Sequence, residues 1–353
     1  MANAKNERKK KLSKIIVAIV VIVLALTLQA IVTNQQETVA PNQSSEQQQP
    51  KEEVTPNQSS EQQQPEEETV TNNVDGSIVL HMIDVGQADS FLFVQNDKVA
   101  LVDCGTRSTG KDAVEYIKDL GITKIDYVFG THPHDDHMGG MYDIITNFEI
   151  GKIILPKVEN GQVTTNWYIK LMKEISEGGY QVEYSQTGNT YQLGNAVIEI
   201  LWQSEGTQSN INNYSNIMKV SFGEMDILMT GDAETEIEEE ALDSKIELDA
   251  EILKVGHHGS DTSSSQEFLN VVDPEYGLIS SKIGNKYNHP TESTMQKLEN
   301  MGVIVYRTDE CGSVIATITA NNITFNCEPG DYLSGPELEE EKAAWEVIYL
   351  LTE

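Results

Sequence analysis

The residues best suited to chemistry lie in one short stretch, residues 131–140, with the sequence THPHDDHMGG. This stretch holds three of the seven histidines, His132, His134 and His137, and Asp136 stands directly before the last of them. Imidazole and carboxylate groups at these spacings can converge on one or two divalent ions. The pattern therefore indicates a metal site, for which zinc is the expected ion and manganese is the alternative.

The element that must position this loop is the run Ile125 to Phe129, which has the composition of a buried strand. The metal ligands would then lie in the loop at the carboxyl end of that strand. A helix is expected from about Met138, so Asp136 would lie near a helix N-terminus. The positive end of the helix dipole favours an ionised carboxylate there.

A further carboxylate, Asp232, follows another predicted strand, Ile227 to Met229. From the end of that strand its side chain can reach across as a ligand that bridges two ions. Asp232 also suits the N-cap of the acidic helix expected from Glu234. Together with the histidine loop, we interpret Asp232 as a metal ligand.

Two adjacent histidines, His257 and His258, close the predicted strand Ile252 to Val255. Neighbouring side chains of an extended backbone point to opposite faces, so we expect only one of the two to bind metal. We interpret His257 as the ligand. His258 would then form a hydrogen bond beside the metal or contact the substrate.

The other polar residues near strand ends have simpler interpretations. His289 is either a solvent-facing residue or a donor to substrate oxygens, and we treat it as a candidate catalytic residue. His81 lies on an apolar strand and is expected to be packed in the core. Asp84, Asp89 and Asp103 lie close to glycines, where turn chemistry accounts for them. Asp84 or Asp103 can also support a metal ligand.

Composition limits the classes of function. The formal charge is −32, and residues 1–14 carry six basic residues and one acidic residue, so the rest of the chain carries −37. So high a negative charge on residues 15–353 argues against tight non-specific binding of long nucleic acid. A nuclease is not excluded, because metal ions can supply positive charge locally. Three cysteines are too few for a disulfide framework, and we expect packing residues, with a Cys311–Cys327 bridge as the alternative.

Residues 15–32 are almost wholly apolar and follow the basic tail, residues 1–14. About 18 residues is the lower limit for a helix that spans a bilayer. Basic residues before the segment predict a cytoplasmic N-terminus and a catalytic domain outside the cell. We expect an uncleaved single-pass membrane anchor, and a cleaved signal peptide with a secreted domain is the alternative.

Residues 33–76 are expected to be a disordered linker, because the run PNQSSEQQQP occurs twice in a segment too poor in apolar residues to form a core. A globular domain is expected over residues 77–330, followed by an acidic tail over residues 331–353. Hairpin patterns at both ends of the domain, with strands and helices alternating between them, predict a layered α/β fold with helices outside.

The H-x-H-x-D-H motif at residues 132–137 resembles the metallo-β-lactamase fold superfamily. Further motifs, in the same order along the chain, resemble the extracellular hydrolase module of ComEC-type DNA-uptake proteins. These motifs are HMIDVGQADS at 81–90, LVDCG at 101–105, TGDA at 230–233, LKVGHHGS at 253–260 and NKYNHP at 285–290.

The resemblance implies an αββα metallo-β-lactamase-like sandwich with a metal site at the sheet edges. It also implies that His132 and His134 hold one metal, that Asp136 and His137 hold another, and that Asp232 bridges them.

This chain departs from the family pattern at two places. Ala88 stands where a second glycine is usual, and no histidine lies between His137 and His257. The third imidazole of a full first zinc site is therefore absent, as in similar proteins that have a segment such as residues 212–216 instead. The number of bound ions, one or two, stays open.

The sequence thus predicts a cell-surface hydrolase in which a metal-bound hydroxide attacks the substrate. Asp136, His258 and His289 are the candidate catalytic residues. The resemblance favours phosphodiesters, as in a nuclease or a phosphoesterase, with nucleic acid among the candidate partners. Another small ester is the alternative substrate, and the alternative functions are a lactamase or lactone hydrolase and a non-catalytic surface module that binds metal.

Overall fold

The computed structural model describes residues 76–159 and 161–352. The predicted basic tail, the apolar segment 15–32 and linker residues 33–75 lie outside these ranges. In the described ranges, no helix combines the length and the apolar composition needed to cross a membrane. The described residues up to 343 belong to one compact unit, and residues 344–352, the end of the last helix, are assigned to another.

The strands of the described residues form two sheets. In chain order they are β1 (Ile78–Met82), β2 (Phe91–Gln95), β3 (Lys98–Val102), β4 (Lys124–Phe129), β5 (Glu149–Leu155), β6 (Val182–Tyr184), β7 (Thr190–Leu193), β8 (Ala196–Trp202), β9 (Ile217–Phe222), β10 (Met225–Met229), β11 (Ile252–Lys254), β12 (Tyr276–Ile279), β13 (Ile304–Arg307), β14 (Val314–Thr319) and β15 (Asn322–Phe325). The first sheet has the order β15-β14-β1-β2-β3-β4-β5-β6, and the second has the order β13-β12-β11-β10-β9-β8-β7.

The helices of the described residues are α1 (Gly110–Asp119), α2 (Asp135–Met138), α3 (Met141–Asn147), α4 (Asn166–Glu177), α5 (Thr235–Asp243), α6 (Gln266–Val272), α7 (Glu292–Met301), α8 (Thr308–Cys311) and α9 (Gly335–Thr352). The sequence predicts one helix from about Met138, whereas the structure has α2 and α3 separated by a break at Gly139 and Gly140. A Cβ on either glycine would overlap backbone atoms, which explains why small residues stand at this break.

Strand direction brings the candidate site together. Strands β3 to β6 run parallel in the first sheet, and β10 to β13 run parallel in the second. The carboxyl ends of parallel strands lie at one edge of a sheet, which is where open α/β sheets place their ligands. The histidine loop follows β4, and Asp232 and the His257–His258 pair follow β10 and β11.

Three buried apolar clusters define four layers. One cluster contains side chains from both sheets, such as Leu80 and Val220, and therefore lies between them. Another packs α1, α3 and α4 on the first sheet, and the third packs α5, α6 and α7 on the second. The predicted α/β sandwich with helices outside two sheets is confirmed. The sequence analysis did not identify β6 and β7, two short strands at sheet edges with alternating or mostly exposed residues.

The C-terminal part of the compact unit is held by polar contacts and a disulfide. Cys311 and Cys327 form that disulfide, so the expectation that both are packing residues is wrong, whereas Cys104 is a free and buried thiol. Tyr332 also contacts the chain next to β13, since its hydroxyl donates to the carbonyl of Val303, the residue before that strand, at 2.8 Å.

Candidate metal centre

Three loops place four ligand-type side chains around one point. Asp136 and His137 from α2, Asp232 after β10 and His258 after β11 offer ligand atoms that all lie within 4.8 Å of one another. His137 Nε2 lies 3.1 Å from Asp232 Oδ2. His258 Nε2 lies 3.6 Å from Asp136 Oδ2 and 3.8 Å from Asp232 Oδ2.

The chemistry of these side chains fits a divalent cation. The Nε2 atoms of His137 and His258 are both buried and have no hydrogen-bond partner. Their other ring nitrogens are fixed, because Nδ1 of His137 donates to Asp103 Oδ2 at 2.7 Å and Nδ1 of His258 donates to the Ser280 carbonyl at 2.9 Å. Metal-binding histidines use this arrangement, in which the second nitrogen sets the tautomer and the ring orientation. A bound cation would satisfy both unpartnered atoms.

The other two histidines of the loop lie beside this group. His132 Nε2 is 3.0 Å from His134 Nδ1 and 4.0 Å from Asp232 Oδ2. The Ser215 hydroxyl contacts His132 Nδ1 at 3.2 Å and accepts a hydrogen bond from the Asp232 backbone N–H at 3.0 Å. Ser215 follows the 3₁₀ turn Ile211–Tyr214 and connects His132 to Asp232. His132 and His134, which were predicted to hold one metal together, therefore lie next to Asp232 in the structure.

The adjacent histidines are not in an extended strand. His257 and His258 have φ values of 49° and 54°, within a 3₁₀ turn over Gly256–Gly259. Such left-handed backbone is strained for non-glycine residues and is concentrated at functional sites. The His257 side chain is 22% exposed, and its Nδ1 contacts the Thr262 hydroxyl at 3.2 Å, whereas His258 is buried. The geometry thus favours His258 as the ligand, which is opposite to the preference drawn from the sequence.

Two further residues complete the site, and the sequence analysis did not assign them to it. Lys254, fully buried on β11, donates to Asp89 Oδ2 at 2.7 Å and to the Gly231 carbonyl at 2.7 Å. The Lys254 ammonium is also 3.4 Å from Asp232 Oδ1. A lysine in an otherwise apolar strand was the available signal, because a buried ammonium requires a carboxylate partner.

The electrostatics of this cluster favour positive charge. Burial alone would lower the pKa of His258, but Asp232 and Asp89 outweigh it and raise that pKa to about 10. Burial also opposes the charged form of His137, yet Asp232 and Asp103 raise its pKa well above the ordinary value. A cation that binds these two imidazoles would therefore compete with protons.

His289 lies at the rim of the site. Its ring is 5.4 Å from that of His257 and 5.7 Å from that of Tyr287, measured between centroids. Burial, and then the neighbouring His257, lower the pKa of His289 to about 4, so its imidazole is neutral at ordinary pH. His81 lies away from this group and contacts the Tyr116 hydroxyl, as expected for a packed histidine. Asp84 is exposed and accepts from the Gly86 N–H, as turn chemistry predicts.

Comparison with known proteins defines the class. Residues 83–281 match the family model described as the metallo-beta-lactamase superfamily. Because this match covers more than half of the chain, the protein belongs to that superfamily.

Two relatives show which members of the superfamily this chain is similar to. The chain is 28% identical over 252 residues to ComE operon protein 3 of Bacillus subtilis (strain 168). This alignment covers 66% of this chain and 32% of that protein. The chain is 32% identical over 234 residues to competence protein ComA of Neisseria gonorrhoeae, covering 65% and 31% respectively. Among solved structures, CmlA, a diiron β-hydroxylase from Streptomyces venezuelae, aligns with a TM-score of 0.47 and 14% identity over 69% of this chain and 54% of its own.

The resemblance to ComEC-type competence proteins is thus confirmed. The chain spans about a third of the length of the two competence relatives.

Proposed function

We propose that this chain is a metal-dependent hydrolase of phosphodiesters that acts at the cell surface. The observation that carries the proposal is the pair of buried, unpartnered Nε2 atoms of His137 and His258, which face the carboxylates of Asp136 and Asp232. A divalent ion held by these four side chains would lower the pKa of a water molecule at the site and would stabilise negative charge on the phosphoryl group. We propose zinc as the ion, with manganese as the alternative, and one or two ions per chain.

The protein's own residues orient this site. Asp103 and the Ser280 carbonyl hold the rings of His137 and His258, as described above. The Lys254 ammonium contacts Oδ1 of Asp232, whereas Oδ2 of Asp232 faces the imidazoles. Lys254 therefore orients the Asp232 carboxylate without occupying the oxygen that faces the other candidate ligands. With its partners fixed, the site requires little reorganisation as charge develops in the transition state.

Asp136 and His289 face the substrate side. The Asp136 side chain is 27% exposed, which makes it more accessible than the side chains of Asp232 and His258. The neutral imidazole of His289 can donate one N–H to a substrate or leaving-group oxygen. This donor role is the one we assign to His289.

The surface location rests on different support. The Cys311–Cys327 disulfide is typical of oxidising compartments outside the cytoplasm. The apolar segment 15–32 after a basic tail fits a single-pass anchor with the hydrolase domain outside. Relatives named as competence proteins are consistent with a phosphodiester at the cell surface.

The experiment is turnover of bis-p-nitrophenyl phosphate by the full chain, stripped with chelator and reloaded with zinc or manganese. We expect hydrolysis that depends on metal and falls at least about 100-fold in Asp232→Asn, because removal of one charge-stabilising group costs roughly 10²–10³ in kcat. Lys98→Ala is the matched control, since Lys98 starts β3 at the end remote from Asp103. Full metal occupancy without turnover of any phosphodiester would contradict the proposal.

The same preparation separates the alternative hydrolases. Nitrocefin and a lactone should be turned over far more slowly than the phosphodiester. Faster hydrolysis of either substrate would assign the site to a lactamase or a lactone hydrolase.

A further inference from the structure

An exposed aromatic residue and a lysine lie at the mouth of the metal centre. Tyr287 is 51% exposed, and the ammonium of Lys286, itself exposed, lies 4.7 Å from the centre of the Tyr287 ring. Neither residue has a part in the core or in the candidate ligand set. Tyrosine is enriched at interaction surfaces, because its ring offers apolar contact while its hydroxyl stays in water.

The loop that carries this pair is ordered by one side chain. Asn285 Oδ1 accepts hydrogen bonds from the backbone N–H groups of Tyr287 and His289, both at 3.1 Å. Its amide group donates to the Lys282 carbonyl at 2.9 Å. These bonds fix the backbone around Tyr287, and stacking on His289 restrains its ring, so less entropy is lost when a ligand stacks on the exposed part of the ring.

A short series of contacts joins this pair to the metal centre. The Tyr287 ring stacks on His289 with an interplanar angle of 26°, and His289 packs edge-on against His257. His257 Nε2 is in turn 3.5 Å from Asp232 Oδ2. The pKa of Lys286 is raised, first by its hydrogen bond with Tyr287.

The charges at this rim discriminate between substrate groups. A quaternary ammonium such as choline binds over aromatic faces through cation–π attraction. Here the ammonium of Lys286 already lies over the Tyr287 ring, so a cationic group would meet like-charge repulsion. A flat, uncharged ring can stack on Tyr287, while Lys286 is free to turn towards an anionic phosphate oxygen.

We propose that Lys286 and Tyr287 form a recognition pair that selects phosphoesters carrying a flat aromatic group, such as a nucleoside, and disfavours phosphocholine esters. Tyr287 stacks on the aromatic group, and Lys286 binds a phosphate oxygen not held at the metal centre. This inference rests on the proposed function, because it assigns the substrate group that the same site recognises.

Equilibrium binding tests the pair without requiring turnover. The full, zinc-loaded chain is titrated with thymidine 5′-monophosphate, ribose 5-phosphate and phosphocholine, and dissociation constants are measured by calorimetry. Wild type should bind the nucleotide most tightly. Tyr287→Ala should weaken nucleotide binding by about 5- to 100-fold, as expected for loss of one stacked base, and should leave ribose 5-phosphate binding unchanged.

Matched variants assign the effect. Tyr287→Phe keeps the ring and should retain the nucleotide affinity. Lys286→Ala should weaken nucleotide binding, and the ratio of phosphocholine affinity to nucleotide affinity should rise. Trp167 lines a cavity of about 630 Å³ with Arg107, Tyr142 and Lys170, and neither Lys286 nor Tyr287 lines it, so Trp167→Ala is the comparison for an aromatic residue elsewhere.

Three results would overturn the inference. They are an unchanged nucleotide affinity in Tyr287→Ala, a loss that appears in Trp167→Ala instead, and a wild type that prefers phosphocholine. Circular dichroism melts of each variant establish that it is folded. If the Tyr287-dependent preference is found but no phosphodiester is hydrolysed, the proposed function fails and the recognition pair stands. If hydrolysis is found without that preference, only the recognition pair fails.

Discussion

Replacing Lys254 by methionine removes a buried cation from between Asp89 and Asp232 while keeping most of the apolar side chain. The ammonium lies 2.7 Å from Asp89 Oδ2, and the Lys254 and Asp89 side chains are 0% and 2% exposed. Breaking a buried ion pair by removing one partner costs about 3–5 kcal/mol, because the other charge stays buried with less compensation, which for Asp89 would come only from His258 and His137. We expect the free energy of unfolding of the metal-free chain to fall by that amount.

The chain offers a control with similar geometry and different burial. Arg107 Nε lies 2.6 Å from Asp135 Oδ1, but these side chains are 58% and 39% exposed. Solvent screens such a pair, and its loss costs about 0.2–1 kcal/mol. Arg107→Met should therefore leave the free energy of unfolding within about 1 kcal/mol of wild type, although the two ion pairs have nearly equal lengths.

The assay is urea denaturation of both variants and wild type in chelator, followed by the same series in saturating zinc. A bound cation compensates Asp232 in place of the ammonium, so zinc should narrow the gap between Lys254→Met and wild type. Equal losses in the Lys254 and Arg107 variants would refute the reasoning, because burial would then have no effect on the strength of the pair. A gap that zinc leaves unchanged would show that Lys254 does not act on the metal centre.

Further predictions concern ligand choice, pH and the disulfide. Chelator competition should show zinc affinity at least about 10- to 100-fold weaker in His258→Asn and nearly unchanged in His257→Asn; the opposite order would restore His257 as the ligand. The raised pKa of His258, about 10, contributes stability that is complete below its ordinary value of 6.5 and is lost as pH rises through 10. Unfolding free energy of the chelated chain, followed by urea denaturation, should therefore decline between these pH values, and a flat profile would contradict the assignment. Reduction of Cys311–Cys327, which are 16 residues apart, should cost roughly 3 kcal/mol in the same assay, and no change would show that the bridge is not a constraint.

The positions of the candidate metal ligands were predictable because local signals agree. The run Ile125 to Phe129, apolar at four of its five positions and followed by a histidine cluster, indicates a buried strand and a loop at its end, and Asp232 follows a similar run after Met229. Parallel strands bring such loops to the same edge of a sheet. The sequence alone could therefore place Asp232 with the His132–His137 loop, and the structure puts His137 and Asp232 in contact.

The buried ion pair was harder to predict because its partners are remote in sequence. Asp89 lies near Gly86, and local turn chemistry explains an aspartate there without any partner. Lys254 is 165 positions away, and only the fold brings its ammonium to Asp89. The composition of β11 showed that Lys254 required a carboxylate, but it could not show which one.

The structure favours His258 over His257, opposite to the preference drawn from the sequence, for a backbone reason. We assumed that His257 and His258 continue an extended strand, in which alternate side chains point to opposite faces. Strand β11 ends at Lys254, and both histidines adopt left-handed φ values. Such a conformation is rare for residues other than glycine and leaves no periodic signal in the sequence. It directs His258 inward and leaves His257 at the rim.

Diffraction from crystals of the zinc-loaded chain, recorded at the zinc absorption edge, tests the central claim most directly. We predict an anomalous peak at about 2.0–2.1 Å from the Nε2 atoms of both His137 and His258, with carboxylate oxygens of Asp136 and Asp232 completing the coordination. Zinc bound elsewhere, with both Nε2 atoms still unpartnered, would contradict the account.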